Sequence, residues 1–175
     1  NEALEIFKKV YVDNPNHPGI AISLGNIGLV YDNKGEYENA LKYYNEALEI
    51  LKKVYADNPN HSHIATSLNN IGLVYDNKGE YENALKYYNE ALEIRKKVYV
   101  DNPNHPDIAT SLNNIGSVYD SKGEYENALK YYNEALEIFK KVYVDNPNHP
   151  GIAISLGNIG LVYDNKGEYE NALKY

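Results

Sequence analysis

Between His61 and Pro103 the apolar residues fall into two stripes, each with the period of an α-helix. Ile64, Leu68, Ile71, Gly72 and Tyr75 follow one another at i, i+4, i+7, i+8 and i+11, the spacing of one helix face. Thr66, Asn69, Asn70, Leu73, Asp76 and Asn77 fall on the opposite face. Gly79 ends this stretch, and Tyr81, Ala84, Leu85, Tyr88, Ala91, Leu92, Val98 and Tyr99 form the second stripe. Pro103 closes it. Glu80 and Glu82 lie at the start of the second helix and Lys96 and Lys97 near its end, each complementing the helix dipole. No segment alternates with period two, so the pattern predicts antiparallel helix pairs and an all-α fold.

The pattern recurs. The string NEALEI starts at Asn1, Asn45, Asn89 and Asn133, a step of 44 residues, and residues 1–43 are identical to residues 133–175. The sequence units are therefore 1–44, 45–88, 89–132 and 133–175 of a single repeat solenoid. Helix pairs are expected at about 18–57, 62–101 and 106–145, with half helices at 1–13 and 168–175. Gly72 inside a helix costs about 1 kcal/mol relative to Ala, which is rational if another helix backbone approaches there. The bare half helices at either end would expose apolar stripes. The expectation is that they continue a longer array or stack on a second copy, an end-to-end self-association.

Gly79-x-Tyr81, with Leu68, Ile71-Gly72 and Tyr75 before it and Ala84, Tyr88 and Ala91-Leu92 after it, resembles the tetratricopeptide repeat. The resemblance spans the whole chain. The 44-residue period exceeds the family's usual length of about 34, and Lys96 stands where the family places a helix-closing proline. The second helix is thus expected to run on through Val98 and Tyr99. The longer unit, with LNNIG on its first helix, looks like the kinesin light chain subgroup. The resemblance implies an alpha-alpha superhelix whose first helices line a concave groove that binds peptide segments.

Carried over by that resemblance, the asparagine that grips ligand backbone corresponds to Asn26, Asn70, Asn114 and Asn158. A carboxamide both donates and accepts, so it can pair with an extended peptide without reading its sequence. Thr66, Asn69, Leu73, Asp76 and Asn77 accompany it in one repeat, and Thr110, Asn113, Ser117 and Asp120 in the next. Ile22, Gly25 and Leu29 hold the matching places in the first repeat. The same polar rows would also serve helix-surface solvation or hydrogen bonding between repeats. The Asp row would disfavour acidic ligands.

Composition narrows the function. A net charge of −8 with no basic cluster speaks against nucleic acid. No apolar run reaches the length of a membrane span. Cys is absent, which rules out thiolate metal sites and fits a cytoplasmic location. Ser, His and Asp recur in every unit rather than forming one constellation, so no catalytic residue, cofactor or metal site is expected. His17, His61, His105 and His149 are expected to cap helices; His61-x-His63 lacks the further ligands a metal needs. Arg95 stands on an apolar stripe where Phe7, Leu51 and Phe139 stand elsewhere; it is expected to reach the rim with its stem packed or else to pair with a carboxylate. The chain reads as a non-enzymatic protein-interaction scaffold with a protein or peptide partner. The alternative is a structural or self-assembling array with no dedicated ligand.

Overall fold

A computed structural model describes residues 2–175. Among the described residues it contains nine helices and no strand: α1 (Glu2–Val10), α2 (Pro18–Asn33), α3 (Tyr37–Val54), α4 (Ser62–Asn77), α5 (Tyr81–Val98), α6 (Pro106–Ser121), α7 (Tyr125–Val142), α8 (Pro150–Asn165) and α9 (Tyr169–Ala172). The chain is all-α among the described residues, a repeat of antiparallel helix pairs. Its contacts divide it into two compact units, residues 1–94 and 95–175. In the first, α1 packs on α2, α2 on α3 and α3 on α4. In the second, α6 packs on α7, α7 on α8 and α8 on α9.

The turn inside each pair follows from one glycine. Gly79 takes φ +74°, a left-handed conformation that costs glycine nothing. Its N–H donates to the Asp76 carbonyl, and the Glu80 N–H donates to the Tyr75 carbonyl, both at 2.8 Å. This Schellman closure satisfies carbonyls that a helix end would otherwise leave bare. Lys78, just before the glycine, folds onto Glu38 and Glu80, each at 2.7 Å. It thereby joins the end of α4 to the start of α3.

Tyrosine fills five recurring positions. Tyr44, Tyr88 and Tyr132 are buried and lie against Gly28, Gly72 and Gly116. A Cβ added at Gly72 would come within 2.8 Å of the Tyr88 ring. The glycine thus admits an aromatic ring rather than the helix backbone that the sequence suggested. Tyr31–Tyr43, Tyr75–Tyr87 and Tyr119–Tyr131 stack at 5.4 Å. Tyr37, Tyr81, Tyr125 and Tyr169 open the second helices.

The fifth position, with histidine, ties one pair to the next. Tyr11, Tyr55, Tyr99 and Tyr143 stack on His17, His61, His105 and His149 at 3.4–3.5 Å. Each of these histidines is an N-cap whose Nδ1 accepts the backbone N–H two residues on, as at Gly19 (3.1 Å) and His63 (3.1 Å). The acceptor nitrogen must be unprotonated to do this.

Arg95 departs from the rim placement. It is 8% exposed, and its Nη1 donates to Ser111 Oγ at 2.5 Å and to the Asp107 carbonyl at 3.0 Å. Tyr99 donates its hydroxyl to Asp107 Oδ2 at 2.8 Å. Burial lowers the arginine pKa, while Asp107 and Tyr99 oppose that shift. Position 107 explains the exchange. Where Phe7 and Phe139 occupy the arginine's place, they press on Gly19 and Gly151. Arg95 instead has an aspartate facing it.

Candidate peptide groove

In the first unit, α2 and α4 are both packed on α3 and run side by side in the same direction. They are tied at their C-terminal ends, where the Asn77 amide donates to Asp32 Oδ1 at 3.1 Å. Towards their N-terminal ends they part around an open cavity of about 260 Å³. Its floor is Ala21, Tyr44, Ala47 and Leu51, all buried. Ile22, Gly25, Asn26 and Leu29 of α2 form one wall, and Thr66, Ser67 and Asn70 of α4 form the other, with His63 at the end.

Two features keep this space open. Gly25 has no side chain, and a Cβ built on it would meet nothing within 4 Å. Ile22 and Leu29 are 56% and 47% exposed, standing on the wall rather than filling the gap. Such apolar side chains on an otherwise polar face mark a surface suited to a partner.

The second unit is built differently at the same place. Asn113 of α6 occupies the position of Gly25, and its amide donates to Ser155 Oγ of α8 at 3.2 Å. Ser155, fully buried, in turn donates to the Gly151 carbonyl at 3.1 Å. The asparagine side chain therefore bridges the two helices where the first unit has its cavity. Asn165 repeats the C-terminal tie by donating to Asp120 Oδ1 at 3.1 Å.

The candidate residues separate accordingly. Asn26, Thr66 and Asn70 come together around the cavity, Asn26 exposed and Asn70 half-buried. Asn77, Asn113 and Asp120 are engaged in ties between helices. The Thr66 and Thr110 hydroxyls donate back to the carbonyls of Ser62 and Pro106, at 3.1 Å each, which leaves their oxygens able to accept. Asn69, Asn114, Asn158 and Ser117 are half-buried on their helices, and Leu73 is 37% exposed. Asp76 is half-buried, and desolvation raises its pKa. The floor residues and Ser67 lie on the core stripe and carried no functional signal in the sequence. His63 stood out in the sequence only as half of an incomplete metal pair.

The electrostatics are one-sided. Neither α2 nor α4 contains Lys or Arg, and Asp32 and Asp76 are their only carboxylates. Lys34 and Lys78, just beyond the helix ends, are held by Glu36 and by Glu38 with Glu80. Burial and, second, the Asp32 charge push the Tyr44 phenol up to about 12. His61 and His63 are occupied in the cap and in a 3.1 Å contact between His63 Nδ1 and the Tyr55 hydroxyl. Among the described residues, no cluster of three or more His, Asp or Glu could hold a metal ion. None of the described helices is long and apolar enough to cross a membrane.

Comparison with known proteins fits this geometry. Two family models, both described as tetratricopeptide repeat, match residues 1–53 with 63–141 and residues 153–175. The chain belongs to the tetratricopeptide repeat family, whose members are generally non-enzymatic scaffolds that mediate protein interactions. No curated protein gives a significant sequence match. Among solved structures, BtubC (BKLC) from P. vanneervenii is 25% identical with a TM-score of 0.75, covering 90% of this chain and 61% of its own. The nearly identical TPR-like repeats from Podosopora anserina described as kinesin light chain are 18% identical with a TM-score of 0.74, covering 98% and 79%. The apo form of RapI is 24% identical with a TM-score of 0.78, covering 99% and 59%. The chain thus spans about three fifths of the length of BtubC and of RapI.

Proposed function

We propose that the chain binds an extended peptide segment along the face formed by α2 and α4. The observation that carries this reading is the open apolar cavity between Gly25 and Ser67, flanked by the carboxamides of Asn26 and Asn70. The cavity takes up apolar surface, and each carboxamide offers a donor and an acceptor to peptide backbone. The exposed Ile22 and Leu29 extend the apolar contact beyond the opening.

A second reading, a structural array with no dedicated ligand, draws on the ties Asn77–Asp32, Asn113–Ser155 and Asn165–Asp120. These spend polar residues of the same face on cohesion. The double variant Asn26→Ala/Asn70→Ala separates the two readings when panned with a phage-displayed random dodecapeptide library. Peptides enriched on the native chain and lost from a folded variant support the groove. Equal enrichment on both, or none on either, supports the structural array.

A further inference from the structure

The cavity is one-sided in shape and in charge, and both properties bear on what enters it. Its volume of about 260 Å³ is below the range of cofactor and drug pockets, roughly 300–1,000 Å³, but above that of a cavity of about 150 Å³ that accepts benzene. It suits one bulky apolar side chain. The opening lies at Gly25. Asp32, seven residues further along α2, is about 10 Å away at 1.5 Å per helical residue. An extended peptide covers that distance in about three residues at 3.3 Å each.

Charge chooses the residue at the far end. Neither α2 nor α4 carries a lysine or arginine; Asp32, 7% exposed, accepts from the neutral Asn77 amide, and Asp76 is half-buried. The lysines beyond the helix ends are held by Glu36, Glu38 and Glu80. Five carboxylates, Asp32, Asp76, Glu36, Glu38 and Glu80, therefore stand at this end against two lysines. The C-terminal ends of two parallel helices add further negative potential. An acidic peptide residue is repelled there and a basic one attracted.

From this shape and charge we infer that the groove selects a peptide with one Leu, Phe or Trp seated over Gly25 and a Lys or Arg about three residues away, towards the acidic C-terminal ends of α2 and α4. The inference rests on the peptide-groove reading and adds the partner's chemistry to it. The test pans the phage-displayed random dodecapeptide library on the native chain and on Gly25→Asn. That variant is built to place in the first unit the side chain already present at Asn113. The strongest sequence is then synthesised with fluorescein and titrated as its Lys, Gln and Glu forms. The expected result is a bulky apolar residue and a basic residue at that spacing, enrichment lost on Gly25→Asn, and binding weaker by at least about tenfold for Glu than for Lys. Peptides that depend on Gly25 but carry acidic residues at the far position, or bind equally in all three forms, overturn the inference and leave the groove intact. No enrichment, or enrichment unchanged by Gly25→Asn, overturns both.

Discussion

The α2–α4 face and the α6–α8 face have the same backbone plan and differ at a handful of side chains, yet one holds a cavity and the other a bridge. The lining differs at six positions: Gly25 against Asn113, Ile22 against Thr110, Leu29 against Ser117, Leu51 against Phe139, His63 against Gly151 and Thr66 against Ile154. The first unit lacks the amide that would reach Ser67 and carries an apolar wall on α2. The second has the amide, bonded to Ser155, a polar wall on α6 and exposed Ile154 and Leu161 on α8. In a repeat protein the backbone plan can thus stay constant while a few side chains decide whether a face carries a cavity or a bridge.

The sharpest way to break the comparison is to open the seam. Asn113→Gly removes the bridge to the buried Ser155 and adds glycine to a helix interior. It is expected to cost about 2–3 kcal/mol, from the lost hydrogen bond and the helix penalty together. Chemical denaturation measures the loss, and the folded variant should gain a second cavity. The converse change, Gly25→Asn, is expected to lower the affinity of any groove peptide by at least about tenfold, read by fluorescence anisotropy, with circular dichroism unchanged.

Alanine scans at two glycines sharpen the point further. Gly25→Ala is expected to stabilise by about 0.5–1 kcal/mol, because the new methyl group meets nothing and alanine favours the helix. At Gly72 the same change is expected to reverse sign and cost about 1 kcal/mol, since the methyl group would press on the Tyr88 ring. Paired thermal melts check both. The smallest effect concerns the caps. Burial and then His63 lower the His61 pKa from its ordinary 6.5, so the folded state binds this proton less well than the unfolded chain. Its contribution is complete above about pH 6.5 and is lost as pH falls through the lower folded value. Melting temperature should decline from pH 7 to pH 5, and less so in His61→Asn.

Much of the fold was legible because periodicity and turn chemistry report on the backbone. The stripes around Leu68 and Leu85, the break at Gly79 and the histidine caps needed no coordinates. The choice between ligand contact and internal tie was not legible. Asn70 and Asn113 both lie on the polar stripe, and only the position of the facing helix decides which one finds a serine. Arg95 went astray for a related reason. Its partners, Ser111 and the Asp107 carbonyl, become neighbours only once α6 is packed beside the end of the preceding helix. The Gly72 notch was recognised as a close approach, but periodicity does not say whether ring or backbone fills it.

The ties between successive pairs join residues 40, 42 or 45 positions apart, close to one 44-residue period. Misaligned copying of the coding sequence, which adds or drops whole periods, would hand each interface an equivalent partner on the other side of the junction. Arg95 and Asp107 travel together in any block that starts at Asn89, so even the most idiosyncratic pair survives such shuffling. A whole period added or dropped would therefore leave each seam's partners in register, while the number of open cavities of this kind would follow the number of blocks with glycine at the Gly25 position.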